Sequence, residues 1–163
     1  MAEVYDEYAP ALYRYTYRLL GHQSTAQEIV ADTFIRLLTA LKNGNGPKKN
    51  PSAWLYRVAH NLVVDHYRRS PPLEPVPIDS VQISQPDDKA DEVLRQEKAV
   101  YVRQALWKLT TLQQQVIVLK FLEGMDNEEV SKTMGKTVGS VKALQHRALT
   151  SLRRIMEKEN VQY

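Results

Sequence analysis

Apolar residues recur along this chain at intervals of three and four, and the strict alternation typical of strands is nearly absent. Such spacing places apolar side chains on one side of an α-helix. The sequence therefore predicts an all-α fold. Seven helices are predicted. The first four cover about 2–21, 24–43, 51–69 and 88–109. The last three run from 111 to Gly124, from Asp126 to Gly135, and from Thr137 to about Lys158.

The apolar positions also predict which face of each helix is buried. In the first helix these are Tyr5, Tyr8, Leu12, Tyr15 and Leu19, and in the second Ala26, Ile29, Val30, Phe34, Leu37 and Leu41. In the third they are Leu55, Val58, Ala59, Leu62 and Val63, and in the last Val138, Val141, Leu144, Ala148 and Leu152.

Helix starts are predicted from residues that can cap the first exposed backbone N–H groups. The expected caps are Ser24 with Gln27, Asn50 with Pro51, Thr111 with Gln114, Asp126 with Glu129, and Thr137.

A proline-rich stretch after Arg69 divides the helices into two groups. Few periodic apolar residues occur from 70 to about 88, which is typical of an extended linker. We therefore expect two small helical domains, residues 1–69 and 92–163, joined by a linker at 70–91.

Charge follows the same division. Residues 1–69 carry nine Lys and Arg against six Asp and Glu, residues 70–100 three against seven, and residues 101–163 ten against six. Two mildly basic blocks therefore flank an acidic segment, and basic blocks suit a polyanionic partner.

Composition excludes several classes of function. The chain has no cysteine, which rules out disulfides, thiolate metal ligands and thiol catalysis. The acidic, polar start does not resemble a secretory signal, and no stretch approaches the ~20 apolar residues of a membrane helix. His60, Asp65 and His66 point in different directions on one helix, so we expect no metal site, no cofactor and no catalysis.

The stretch around Gly135 has the pattern of a helix–turn–helix, in which the second helix enters the DNA major groove. Outside its apolar stripe, the second helix carries polar and basic side chains. Ser140, Lys142 and Gln145 lie near its start, where base edges are usually met, and arginines farther along suit phosphates. Taken alone, the same pattern also fits a helical hairpin with a solvated basic face.

The third helix has an outward strip at i, i+4, i+7 and i+11 formed by Arg57, Asn61, Val64 and Arg68, flanked by His60 and Tyr67. Cations that follow phosphates, flat groups that stack and amides that read base edges suit single-stranded DNA. Trp54 lies at the margin, where packing in the core is the simpler interpretation.

Two stretches together resemble a known family. "LTTLQQQVIVLKFLEGMDNEEVSKTMGKTVGSVKALQHRALTSLRR" resembles the promoter −35-reading domain of bacterial extracytoplasmic-function (ECF) sigma factors, and "AWLYRVAHNLVVDHYRR" resembles the domain that melts the −10 element. The resemblance implies core RNA polymerase, promoter DNA and an anti-sigma factor as partners, a cytoplasmic location and a monomer when free. It also implies that the acidic linker enters the polymerase cleft.

The resemblance assigns roles to particular residues. The −10 contacts it implies are Lys48, Lys49, Trp54, Arg57, His60, Asn61, Val64, Tyr67 and Arg68, with the two lysines in the loop that captures a flipped base. The −35 contacts are Thr137, Ser140, Lys142, Gln145, His146 and Arg147.

Polymerase binding is expected on the second helix, through Glu28, Asp32, Ile35 and Arg36. The family usually has Glu and Gln where this chain has Gln27 and Ala31 on that helix. Two alternatives stay open. One is a stand-alone helix–turn–helix regulator, and the other, which the departures at Gln27 and Ala31 keep open, is a sigma-like interaction protein that does not initiate transcription.

Overall fold

A computed structural model describes residues 2–70 and 86–161 of the chain, with side chains described for 2–70 and 90–158. Those residues contain helices and no strand, which confirms the all-α prediction. The helices are α1 (Ala2–Leu20), α2 (Gln23–Lys42), α3 (Pro51–Arg69), α4 (Pro86–Leu106), α5 (Thr111–Ile117), α6 (Asn127–Met134) and α7 (Val138–Val161), with a π-helical segment (Val118–Leu122) after α5.

The first three helices pack around one core. Leu12, Tyr15, Leu55, Ala59 and Val63 are fully buried there, as the apolar pattern predicts. Two predictions of burial are wrong: Tyr5 is 49% exposed and Leu41 is 48% exposed. Both lie near the ends of their helices, where fewer neighbours cover a side chain.

The predicted caps of α3, α6 and α7 are confirmed. Asn50 Oδ1 accepts from the N–H of Ala53 at 3.3 Å, with Pro51 in the first helical position. Asp126 Oδ1 accepts from Glu129 N at 2.8 Å, and Thr137 Oγ1 accepts from Ser140 N at 3.1 Å. Such caps satisfy N–H groups that have no partner within the helix.

The predicted caps of α2 and α5 are wrong. α2 begins one residue before Ser24, and the side chain of His22 caps it by accepting from Thr25 N at 3.4 Å. α5 is capped by Thr110, which forms a capping box with Gln113. The preceding residue takes the cap because Gln114 is buried and its amide donates to Leu106 O at 3.1 Å.

α4 begins at Pro86, two residues before the start predicted at about 88, so the helix extends into the predicted linker. Proline is well suited to the first turn, since a backbone N–H there would have no helical partner. Residues 71–85, which hold most of the predicted linker, lie outside the described residues.

The later helices form a helix–turn–helix. α6 ends at Gly135, whose φ of 67° lies in the left-handed region that glycine adopts without steric penalty. α7 then packs on α5 and α6 through Val141, Leu144 and Ala148, which are buried as predicted.

The two groups of helices contact each other where α4 crosses the end of α1. Arg103 Nε donates to Arg18 O at 3.1 Å and Trp107 Nε1 donates to Leu19 O at 2.8 Å. These carbonyls belong to the last turn of α1 and have no partner within that helix. The Arg103 guanidinium fills the space beside Gly21, where a Cβ would overlap it.

Two further contacts join the groups. The side chain of Glu123 is only 5% exposed and pairs with Arg18 at 2.8 Å and Arg14 at 3.4 Å. Asn50 Nδ2 donates to Lys132 O at 2.7 Å, which joins the start of α3 to α6.

Candidate nucleic-acid interface

The outward face of α3 carries the strip expected from the sequence. Arg57, Asn61 and Arg68 are exposed, and Val64 is half-buried between them. The opposite face supplies Leu55, Ala59 and Val63 to the core, so the helix has no freedom to rotate the strip inward. Two cations and one amide on a rigid helix can follow phosphates and contact a base edge.

His60 does not lie on this face, which corrects the expectation that it flanks the strip. It is 2% exposed, and its Nδ1 lies 2.7 Å from the hydroxyl of Tyr15. Burial lowers the His60 pKa from 6.5 to about 4, and the backbone of Thr111 opposes part of that shift. The ring faces Tyr15 of α1 and the backbone of Thr111 at the start of α5, so His60 is inaccessible to DNA in this arrangement.

The two aromatic residues of α3 have different surroundings. Trp54 is half-buried and packs against the core of the first three helices. Tyr67 is half-buried because its ring stacks on the indole of Trp107, with centroids 3.7 Å apart and planes 6° from parallel. One face of Tyr67 is therefore occupied by a residue of the other domain.

The loop before α3 presents Lys48 and Lys49, both exposed. It ends at Asn50, whose carbonyl oxygen caps α3 while its amide holds α6. The lysines are thus near the start of the α3 strip, where cations can hold phosphates, and the loop end is fixed by α6.

The outer face of α7 is basic near its start. Ser140, Lys142, His146 and Arg147 are exposed. Two of the expected side chains have intramolecular partners: Thr137 caps the helix, and Gln145 Nε2 donates to Asn127 Oδ1 at 2.7 Å. This hydrogen bond joins Gln145 of α7 to the start of α6.

The outer face of α2 combines charge with exposed apolar surface. Glu28 and Arg36 are exposed, and Arg36 pairs with Asp32 at 3.3 Å. Ile35 is 61% exposed, and Leu38, which the sequence did not single out, is 41% exposed. Exposed aliphatic residues one turn apart among charges are typical of a protein-binding surface.

Sequence reasoning missed Arg103, Trp107 and Glu123, which join the two domains. The sequence marks Trp107 only as one more apolar residue of α4, and nothing local marks Glu123 as buried. Each partner lies more than 80 positions away in the chain, so no spacing rule could have found these contacts.

Other kinds of site find no support in the described part of the chain. Within residues 2–70 and 86–161, no group of three or more His, Asp and Glu could hold a metal ion. No helix among them is long and apolar enough to cross a membrane.

The fold and these faces define a two-domain helical protein whose second domain contains a DNA-binding type of helix–turn–helix. Residues 4–70 match Sigma-70 region 2, and residues 99–152 match Sigma-70 region 4.

Curated relatives agree. The chain is 32% identical over 155 residues to the ECF RNA polymerase sigma factor BldN of Streptomyces coelicolor, covering 94% of this chain and 59% of that protein. It is 28% identical to the sigma factor YlaC of Bacillus subtilis, covering 96% of this chain and 91% of that protein.

Solved structures share the fold. The sigma factor RpoE of Bartonella quintana, in complex with the anti-sigma factor NepR, gives a TM-score of 0.57 at 20% identity, with 96% of each chain covered. CnrH, in complex with the cytosolic domain of CnrY, gives 0.59 at 24% identity, with 96% of this chain and 87% of CnrH covered. The chain belongs to the sigma-70 family, among the ECF RNA polymerase sigma factors.

Proposed function

We propose that this protein is a sigma factor that binds core RNA polymerase and directs promoter-specific initiation. The observation that carries the proposal is the pairing of two exposed faces in family-matched segments: Arg57, Asn61 and Arg68 on α3, and Ser140, Lys142 and Arg147 on α7. The first suits the single-stranded −10 element, and the second suits duplex at −35. Residues 1–69 and 92–163 would be the two reading modules, with 70–91 between them.

Each module has a small surface, so binding through one face alone should be weak. Linking two weak contacts through polymerase raises the effective local concentration of the second. We therefore expect weak promoter binding by the free chain and strong, promoter-specific binding by the complex with polymerase.

The outer face of α2 is the proposed contact with the polymerase large subunit. Ile35 supplies apolar area, and Glu28, Asp32 and Arg36 supply the charges. Gln27 and Ala31 are also exposed and lack the polar side chains usual in the family at these positions, Glu and Gln, so the contact should depend more on Ile35 and its charged neighbours.

We also propose an anti-sigma protein as a partner, because the similar sigma factor RpoE was solved with the anti-sigma factor NepR bound. The chain itself would act in the cytoplasm as a monomer, without a cofactor and without catalysing a reaction.

Run-off transcription with purified core polymerase tests the function. Genomic DNA fragments containing the chain's own upstream region serve as templates, and core polymerase without the chain is the control. We expect discrete transcripts only when both proteins are present. Tight, salt-sensitive duplex binding without polymerase and no transcript would support the stand-alone regulator. Polymerase binding without any transcript would support the non-initiating interaction protein.

A further inference from the structure

A groove of about 480 Å³ lies between α1 and α4. It is lined on α1 by Tyr13 and Tyr17, and its apolar side is formed by Val102, Leu106 and Leu122, which pack against the core. Sites for small molecules usually have volumes of about 300–1,000 Å³ and a largely apolar lining. No residue of α2, α3 or α7 lines this groove, so it is separate from the three faces described above.

Cations from both helices converge on the groove. Arg14 and Arg18 line it from α1, and Lys98 and Arg103 line it from α4. In the described part of the chain, Glu123 is the only carboxylate that forms an ion pair with any of these four. Like charges gathered in one cleft repel each other and attract anions. The groove therefore has an excess of positive charge that a bound anion would neutralise.

The arginines keep hydrogen-bond donors for such an anion. Arg14 and Arg18 bond to Glu123 through Nε, and Arg103 Nε donates to Arg18 O at 3.1 Å. This leaves the terminal N–H groups of each guanidinium, whose planar arrangement matches the oxygens of a phosphate. Burial lowers the pKa of Arg103, and the nearby Tyr17 opposes part of that shift. A cation that is partly removed from water gains more from an anion than an exposed cation does.

The two tyrosines supply a flat surface beside these cations. Tyr13 and Tyr17 are one turn apart on α1, with ring centroids 6.0 Å apart and planes 19° from parallel. Tyr17 is 40% exposed, so a planar group can reach its ring. Nucleobases of any kind stack on tyrosine rings, because every base has a π-face. A ligand that matches both features has a flat ring and several negative charges.

We propose that this groove binds a nucleoside polyphosphate, with its base against Tyr17 and its phosphates held by the cations of α1 and α4. A fatty acid would match the apolar side, but it has a single charge, whereas several cations suit several phosphate charges. The site goes beyond the proposed function, because it uses none of the residues assigned to polymerase or to DNA. It can therefore be tested on the free chain alone.

Isothermal titration calorimetry of the full chain with GTP and with ATP tests the binding, in a buffer at about 0.15 M ionic strength, where weak surface attraction is screened. We expect one site per chain. Guanosine and inorganic tripolyphosphate should each bind at least about tenfold more weakly than GTP, because each makes only one of the two linked contacts. No binding of either nucleotide, or tripolyphosphate binding as tightly as GTP, would overturn the inference.

Paired variants test the cations. Arg14→Gln/Lys98→Gln removes one cation from each side of the groove and should weaken GTP binding at least about tenfold, through the loss of charge-assisted hydrogen bonds. Lys42→Gln/Arg69→Gln, at two exposed positions outside the groove, lowers the net charge by the same amount and should bind GTP as the natural chain does. Equal weakening in the two double variants would show that net charge alone attracts the nucleotide, and would overturn the site.

Tyr17→Leu tests the stacking surface and leaves every cation in place, so it also serves if the first double variant fails to fold. It should weaken GTP binding severalfold and leave tripolyphosphate binding unchanged. Equal GTP affinities of Tyr17→Leu and the natural chain would overturn the placement of the base.

Photolabelling with azido-ATP, followed by peptide mapping, locates the site. We expect label on peptides from α1 or α4, and excess unlabelled GTP should abolish it. Label confined to α3 or α7 would overturn the inference, since the nucleotide would then occupy a DNA-reading face. These measurements contain neither polymerase nor promoter DNA, so their failure is distinguishable from failure of the proposed function in run-off transcription.

Discussion

The hydroxyl of Tyr15 lies 2.7 Å from Nδ1 of His60, in the interior of the first domain. Burial also raises the pKa of Tyr15 well above 10, so its hydroxyl remains protonated. The imidazole is neutral near neutral pH, because burial is the main cause that lowers its pKa to about 4. The pair joins α1 to α3 beneath the start of α5.

This pair predicts how stability depends on pH. The unfolded chain binds a proton at His60 near pH 6.5, whereas the folded chain does so only near pH 4. The stabilisation from the neutral, buried His60 is therefore complete above about pH 6.5 and is lost as pH falls toward 4. The total loss of folding free energy is about 3 kcal/mol. Urea unfolding of the natural chain between pH 7 and 5 measures this slope.

The matched variants for that experiment are His60→Gln and His146→Gln. His60→Gln should lose most of the slope, and His146→Gln, at an exposed position on α7, should keep it. An unchanged slope in His60→Gln would show that other groups cause the pH dependence.

The strip on α3 predicts a defect in promoter opening. Arg57→Ala with Asn61→Ala should reduce initiation on a duplex promoter by about tenfold or more, because two contacts to the separated strand are lost. On a template already melted at −10 the loss should be smaller. Arg95→Ala, an exposed arginine on α4, is the control and should leave both rates unchanged. Equal losses on the two templates would argue against a role in melting.

The face of α7 predicts a separate defect. Lys142→Ala should weaken binding of the holoenzyme to −35 duplex by ~1–3 kcal/mol if the lysine reads a base edge. Lys158→Ala, exposed toward the far end of the same helix, should have little effect. Affinity for core polymerase should stay constant in both, and a fall in that affinity for Lys142→Ala would indicate that its face has been misassigned.

The exposed side chain of Ile35 gives a prediction about the site at which polymerase binds. Because this side chain is 61% exposed on the free chain, Ile35→Ala should leave thermal stability nearly unchanged while weakening core binding severalfold. Leu94→Ala, at a residue 50% exposed on α4, is the control for loss of an exposed aliphatic side chain. Equal affinities of the two variants for core polymerase would contradict the proposal that α2 is the polymerase-binding surface.

The sequence predicts local features of this fold well. Periodicity places Leu55, Ala59 and Val63 in the core, and Asn50, Asp126 and Thr137 at helix starts, because each depends on residues within one or two turns. In "LTTLQQQ" the same logic is ambiguous, since either threonine has a glutamine three residues later. The structure resolves this through the burial of Gln114.

The relation between the two domains could not be predicted in this way. Whether His60 is an exposed flank or a buried residue depends on what packs against its side of α3, where Tyr15 of α1 and the backbone of Thr111 at the start of α5 meet it. The stack of Tyr67 on Trp107 likewise depends on packing between helices separated by residues 71–85. A helical wheel gives the direction of a side chain but not what a second domain brings against it.

The turn of the helix–turn–helix gives a stability prediction with an internal control. Gly135 has a φ of 67°, which costs an L-residue about 1 kcal/mol, although a Cβ there would meet no neighbouring atom. Gly135→Ala should therefore destabilise the chain by about that amount through backbone strain alone. Gly139 lies in the first turn of α7 with ordinary helical φ, and a Cβ there meets only Thr137 Oγ1 at 4.0 Å. Gly139→Ala should instead stabilise the chain by about 0.5 kcal/mol. Chemical unfolding of both variants measures the difference, and equal effects of the two substitutions would contradict a left-handed turn at Gly135.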